Sequence, residues 1–261
     1  MDLGLKGKRA LVLGGGRGIG RGIAEALAAE GADVAIASRN LAVLEEAAAA
    51  MGRHGGKTLA VSADLNERGA VGEIYERVAA AFGGIDVLVN NTGGPPPGGV
   101  VGVTEEQWSK QFEAMVLSVI SLTNLALPGM RERKWGRVLT VASSGVVQPA
   151  APIGISNTLR SALVGWSKTL AGEVARDGVT VNLLLPATTR TQRIAGFWEA
   201  DAARTGRSIE QVETAAAAAL PMGRYGTIEE FGAVAAFIAS VPASYVTGSM
   251  IRIDGGYIAS I

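Results

Sequence analysis

The 261-residue chain contains no cysteine, which removes disulfides, thiolate nucleophiles and cysteine-built metal sites together. Its one histidine, His54, lies in the polar stretch GRHGG, a setting that reads as a solvated loop and leaves imidazole catalysis without a candidate. Net charge is lacking too: 24 basic residues balance 24 acidic ones, so no global field favours nucleic acid or an anionic membrane. Tyrosine is scarce, with only Tyr75, Tyr225, Tyr245 and Tyr257 available for any phenol chemistry. No unbroken apolar run nears the roughly 20 residues that span a bilayer. The opening MDLGLKGKRALVLGGG also lacks the long apolar core and small-residue cleavage site of a secretory signal. These absences predict a soluble cytoplasmic protein with no metal, no nucleic acid and no membrane partner, acting on a small molecule.

What is present is a rhythm. Short runs rich in branched apolar residues recur: RALVL (9–13), DVAIA (33–37), TLAVSA (58–63), DVLVN (86–90), RVLTVA (137–142), VTVNLLL (179–185) and SMIRI (249–253). Between them lie longer amphipathic stretches such as IGRGIAEALAAEG and NLAVLEEAAAAMG, with helical spacing and glycine stops. Near-continuous apolar strands separated by helices are what a parallel sheet buried on both faces requires. The pattern predicts an α/β fold of Rossmann type, a doubly wound parallel sheet of about seven strands with helices on both faces. No polar linker or charge run divides the chain, so residues 1–261 are expected to form one domain. The stretch of about 187–220, mixed in polarity and placed after a strand, is expected to be a lid over the ligand crevice.

The first strand runs straight into LGGGRGIGRGIAEAL. Backbone amides at the start of a helix receive phosphate oxygens, and glycine lets the chain approach them closely. The spacing Gly14-x-x-x-Gly18-x-Gly20 differs from the ordinary G-x-G-x-x-G, and a glycine cluster alone also suits a tight turn. Strand context makes it a dinucleotide site, with Gly14, Gly16, Arg17, Gly18, Ile19 and Gly20 as its candidate residues. NAD-binding versions place a carboxylate at the end of the second strand, for the ribose 2′-hydroxyl. Here that end reads ASRN, offering Ser38 and Arg39 and no acid; Asp33, at the strand's other end, is expected to finish the preceding helix turn. Arg39 and Arg17 supply two cations suited to a 2′-phosphate, so NADP(H) is favoured, although both would also suit solvated surface positions.

At this point the chain resembles the short-chain dehydrogenase/reductase family over nearly its whole length, in the manner of its 3-oxoacyl-carrier-protein reductases. LGGGRGIG is similar to the family's cofactor turn, and ADL (63–65) to its adenine-contacting motif, implying Asp64 and Leu65. NNTGG (90–94) resembles the Asn-Asn-Ala-Gly signature with Thr92 for alanine, implying Asn91 and Gly93. LLPATTRT (184–191) resembles the segment flanking the nicotinamide, implying Pro186, Thr188 and Thr191, with Ala187 where the family has glycine. The resemblance also implies a homo-oligomer, usually a tetramer, built from helices at about 104–131 and 153–176 and from the last strand.

The family's catalytic set is a serine, a Tyr-x-x-x-Lys pair and an asparagine on the preceding helix. Alignment on GRVLTVASSG places Ser143 at the serine position, with Ser144 beside it. The same register puts Ser156 at the tyrosine position, Arg160 at the lysine position and Met115 at the asparagine position, so three of the four residue types have changed. Ser156 and Arg160 are four apart and share one helix face. A serine is no proton reservoir at neutral pH, but it donates a hydrogen bond; an arginine stays charged and can hold ribose hydroxyls and polarise an oxygen. Ser143, Ser156 and Arg160 are therefore the candidate catalytic residues, with Arg160 also a cofactor contact and the proton coming from water or substrate. The expected activity is NADP(H)-dependent hydride transfer to or from a carbonyl or secondary alcohol, a 3-oxoacyl compound being one substrate class. Two other readings stay open: a catalytically silent NADP-binding sensor or scaffold, and a non-redox dehydratase or isomerase using the same crevice. PPPGG (95–99), Phe197 and Trp198 are expected to line the pocket, and either Arg190 or Arg193 suits an anionic group as well as it suits solvent.

Overall fold

A computed structural model describes all residues from Met1 to Ile261. Seven strands, β1 (Arg9–Leu13), β2 (Asp33–Ser38), β3 (Thr58–Ser62), β4 (Val87–Asn90), β5 (Gly136–Val141), β6 (Val179–Pro186) and β7 (Met250–Ile253), form one sheet in the order β3-β2-β1-β4-β5-β6-β7. Every neighbouring pair is parallel. Crossovers are made by α1 (Gly18–Ala29), α2 (Leu41–Gly52), α3 (Ala70–Phe82), α4 (Glu105–Phe112), α5 (Ser118–Glu132), α6 (Gly154–Val174), α7 (Gln192–Thr205), α8 (Ile209–Ala218) and α9 (Ile228–Ala239).

The strands read as unbroken apolar runs because both of their faces are covered. Along β1, Ala10 and Val12 enter one core with Ile23, Leu27 and Phe231, while Leu11 and Leu13 enter the other with Ile74, Leu122 and Val138. That alternation is the two-residue period of a strand, and each fully buried Leu or Ile contributes about 1.5–3 kcal/mol. On the first face α1 and α9 cross closely. A Cβ on Gly22 would lie 2.2 Å from Ile228 O, and one on Gly232 would lie 2.2 Å from Gly22 O, so the crossing requires two glycines.

The strand order reverses between β1 and β4, so the chain leaves their carboxyl ends in opposite directions and opens a crevice there. Every strand but β1 differs from the sequence pattern by one residue at one end or both, and one segment differs in kind. The helix expected over 104–131 is a composite in which Glu113–Leu117 is a single π turn joining α4 to α5. By length and composition Glu105–Glu132 would also suit a bilayer, but here Leu122, Ala126, Leu127 and Met130 bury against the sheet. Asp33 does not finish the turn after α1; its Oδ1 accepts a hydrogen bond from Lys57 N at 2.7 Å and ties β2 to the start of β3.

Candidate active site

The glycine turn is shaped by contacts that leave no room for side chains. Gly14 and Gly18 have φ of 63° and 54°, and Gly14 N donates to Ala37 O at 2.7 Å, pinning the turn to the end of β2. A Cβ on Gly20 would lie 2.3 Å from Gly14 O, and one on Gly14 would lie 2.6 Å from Asn91 Nδ2. The first turn of α1 carries no acid and no capping side chain, so its amides are left for an external anion.

From this turn a groove of about 400 Å³ runs across the carboxyl ends of the strands. It gathers Gly14, Ser38, Arg39, Asp64, Leu65, Asn91 and Gly93 of the predicted cofactor set. The backbone N–H of Asn66, helped by its side chain and by Arg39 and Lys110, holds the Asp64 carboxyl below the usual carboxylate range. Asn66, Lys110 and Gln111 also line the groove and escaped the sequence reading. Lys110 and Gln111 come from α4, whose capping box between Thr104 and Gln107 fixes where the helix starts; a cation one turn into a capped helix after β4 was the available signal.

Other predicted residues stand apart from that groove. Arg17 is exposed and its Nη1 donates to Gln192 Oε1 at 3.1 Å, so it bridges the glycine turn and α7 and does not line the groove with Arg39. Pro186 ends β6 opposite Ile253. Thr188 lines a separate cavity of about 250 Å³ beside α9 and β7, and Thr191 caps α7 by accepting from Ile194 N at 3.4 Å. Gly16 packs beside Val43 and Leu44, and Ile19 against the first core.

The catalytic candidates converge on the exit of β5 and the start of α6. Ser143 Oγ accepts from Gly145 N at 3.0 Å, which shapes the turn after β5. Asn157 of α6 braces that turn: a Cβ on Gly145 would lie 2.2 Å from its Oδ1, and its Nδ2 donates to Ala150 O at 2.8 Å. Arg160 Nε donates to Ser156 Oγ at 3.2 Å, Nη1 to Val141 O at 2.7 Å, and Nη2 to Gly93 O at 3.2 Å and Thr92 O at 3.5 Å. Four of the five guanidinium hydrogens are thus spent inside the protein, leaving one on Nη1. Arg160 is buried with no carboxylate partner; that burial, together with the nearby charge of Arg193, lowers its pKa to about 10. Arg160, expected to hold ribose hydroxyls, keeps one donor hydrogen for them.

Ser143 and Ser156 share no hydrogen bond with each other, and each uses its oxygen as an acceptor while donating its own proton to no protein atom. Two hydroxyl donors therefore stay uncommitted. Met115, in the π turn, is buried at 2% exposure beside Leu159 and Leu163 of α6. None of the tyrosines takes over the missing phenol: Tyr225 accepts from Trp198 Nε1 at 2.9 Å, Tyr245 is fully exposed, Tyr75 packs on the core through α3, and Tyr257 follows β7. Among the candidate anion receivers, Arg190 pairs with Glu213 at 2.8 Å, whereas Arg193 has no acid partner. Ser144 is buried, and Trp198 buries in the small core between α7 and α8 instead of facing a pocket.

The comparisons with known proteins agree with this geometry. Residues 14–258 match the family model described as enoyl-(acyl carrier protein) reductase. The chain is 33% identical over 256 residues to the D-beta-hydroxybutyrate dehydrogenase of Cupriavidus necator, covering 98% of this chain and 99% of that one. It is 34% identical over 254 residues to the 3-oxoacyl-[acyl-carrier-protein] reductase FabG of Escherichia coli, covering 96% and 97%. The crystal structure of L-sorbose reductase from Gluconobacter frateurii, complexed with NADPH and L-sorbose, superposes with a TM-score of 0.95 at 32% identity, over 100% of both chains. Sheet order, glycine turn, groove and end-to-end similarity together show that the chain belongs to the short-chain dehydrogenase/reductase family.

Proposed function

We propose that this chain is an NADP(H)-dependent oxidoreductase of one dinucleotide-binding domain, moving a hydride between nicotinamide and a carbonyl or secondary alcohol carbon. The observation that carries the reading is the continuous groove from the glycine turn to Gly93 and Gly94, whose far wall is locked by Arg160. The residues fit the cofactor: bare amides at α1 and a turn that a Cβ would fill suit the phosphates, and Ser38 and Arg39 suit a 2′-phosphate where an acid would repel it. When bound, the cofactor supplies or accepts the hydride. In reduction the carbonyl oxygen gains negative charge, and Ser143 and Ser156 offer it two hydroxyl donors. Arg160 polarises the Ser156 hydroxyl through Nε and holds the carbonyls of Thr92, Gly93 and Val141 around the crevice floor. Water replaces the proton that Ser156 gives up, since neither serine nor arginine stores one at neutral pH. Pro186 and Thr188 lead, outside the groove, into the lid, taken as residues 187–220, and Thr191 caps its first helix. A 3-oxoacyl compound is the leading substrate class, given the similarity to 3-oxoacyl reductases.

A panel of aldehydes, ketones and 3-oxoacyl esters with NADPH, followed by nicotinamide absorbance, tests the reading. Substrate-dependent NADPH oxidation that falls about 100-fold in Ser143→Ala is the expected result. NADPH binding with no turnover across the panel would move the chain to a sensor or scaffold role. Product without absorbance change would make it a dehydratase or isomerase. Exposed Phe112, Leu117 and Leu125 on the Glu105–Glu132 helix and Met250 on β7 support a homotetramer, which sedimentation velocity tests.

A further inference from the structure

The mouth of the crevice carries a further cavity, of about 460 Å³, between the proline loop after β4 and the lid helix α7. Its lining is carbon and backbone from Pro95, Pro96, Pro97 and Phe197, with Arg193 as its one charged side chain and no acid at all. The loop is stiff, because proline fixes φ, and it is fastened: Gly98 N donates to Pro152 O at 2.7 Å and Gly154 N to Gly98 O at 2.9 Å. Arg193 donates only to backbone, Nη2 to Pro95 O at 3.1 Å and Nη1 to Gly94 O at 3.5 Å. Its guanidinium rests on Gly94, where a Cβ would come within 2.8 Å of Nη1.

Arg160 and Arg193 therefore hold the carbonyls of four consecutive residues, Thr92 to Pro95, and neither meets a carboxylate. Arg190, three residues before Arg193, is neutralised by Glu213. A guanidinium left without a carboxylate in a mostly apolar cleft, with the buried charge of Arg160 nearby, is stabilised by an incoming anion, and its planar fork suits a carboxylate in two-point contact. We propose that Arg193 is a specificity-determining residue that receives the carboxylate of an oxo-acid substrate, while the carbon part of that substrate lies along Pro95–Pro97 and Phe197. The inference rests on the oxidoreductase reading for turnover, but binding alone can test it.

The test pairs benzoylacetate with its neutral ethyl ester, measured by NADPH oxidation and by calorimetric titration into NADPH-loaded protein. Wild type is expected to favour the acid by at least about 10-fold in kcat/KM and in Kd. In Arg193→Gln the acid-to-ester ratio falls to about one or below, and Arg193→Lys restores part of it. A wild-type ratio at or below one, or a ratio unchanged in Arg193→Gln, would overturn the proposal. The coenzyme A thioester of the same acid separates a carboxylate subsite from one for a distant phosphate. If the thioester, and not the free acid, loses its advantage in Arg193→Gln, the carboxylate assignment is wrong. Acid-selective binding without turnover would instead leave the subsite standing and refute the redox reading.

Discussion

Arg137 and Arg160 lie at opposite ends of the sheet in nearly the same electrical situation. Each is buried without a carboxylate, and burial lowers each pKa to about 10, with the charge of Arg193 adding to the effect on Arg160. Each is caged by backbone carbonyls: Arg137 by Ser240 O, Gly136 O and Gly178 O, Arg160 by Val141 O, Gly93 O and Thr92 O. The differences lie in what completes the cage. Arg137, at the amino ends of the strands, has its guanidinium carbon 4.4 Å from the centre of the Trp135 ring, a cation–π contact. Arg160, at the carboxyl ends, gives its Nε hydrogen to the Ser156 hydroxyl and keeps one Nη1 hydrogen free. One way of holding a cation thus serves as a brace at one end and, in the proposed reaction, as part of a reactive surface at the other.

Replacing each by leucine should break that symmetry. Both variants leave several buried carbonyls without donors, at about 1–3 kcal/mol each if unhydrated, so thermal denaturation should show comparable losses of stability. Only Arg160→Leu should also lose turnover, by about 100-fold or more in kcat, because Ser156 loses its polarising donor. Steady-state kinetics on folded protein at low temperature separates the two effects. An Arg137→Leu enzyme as inactive as Arg160→Leu would show that the carboxyl-end arginine has no special part.

The sheet was legible because burial on both faces writes itself as uninterrupted apolar runs, and the glycine turn because close backbone packing excludes every other residue. Ser143, Ser156 and Arg160 were singled out by the family resemblance, which aligns the stretch around β5 and α6; the structure places Ser143 just past β5 and the other two on α6. Their bonding was not legible. Apart from the Ser156 hydroxyl, the oxygens around Arg160 are backbone carbonyls of residues 92, 93 and 141, whose side chains carry no signal of that role. The π turn at Glu113–Leu117 was invisible because one inserted residue barely disturbs an apolar stripe. Arg39, placed directly after β2, was the stronger phosphate signal of the two cations, and nothing in the sequence pairs Arg17 with Gln192 of α7.

That last contrast sets the next effect. Arg39 lines the groove beside Asp64, whereas Arg17 is engaged by Gln192 of α7, so Arg39→Ala should lower the NADPH-to-NADH preference about tenfold. Arg17→Ala should change it less, as fluorescence titration of the two cofactors would report. A smaller effect still concerns pH. The four tyrosines make no hydrogen bond to Ser143, Ser156 or Arg160, His54 is exposed after α2, and Asp64 is held below the carboxylate range. With water as the proton source, kcat/KM should vary by less than about twofold between pH 6 and 9. It should fall as pH passes about 10, where Arg160 gives up its proton and the polarisation of Ser156 with it. Stability has the opposite sign. Because the folded-state pKa of Arg160 and Arg137 lies below the ordinary arginine value, the unfolded chain binds more protons between those two values. Their contribution to stability therefore rises with pH above about 10 and is flat below it. A sloping rate profile across neutral pH would reveal a proton donor other than the Ser156 relay.

The least effect is expected from the residue that the sequence could not tell from Arg193. Arg190 pairs with Glu213 at 2.8 Å, with two-thirds of its side chain exposed. An exposed pair of this kind gains little Coulomb energy in water and spends side-chain entropy to form. Arg190→Ala should therefore shift Tm by less than about 2 °C, a shift that added salt should diminish further. It should leave the acid-to-ester ratio of the wild-type protein unchanged, where Arg193→Gln abolishes it. If Arg190→Ala lowers that ratio as much as Arg193→Gln does, the anion is held by the general positive field of the lid, and the separate roles assigned to these two arginines are wrong.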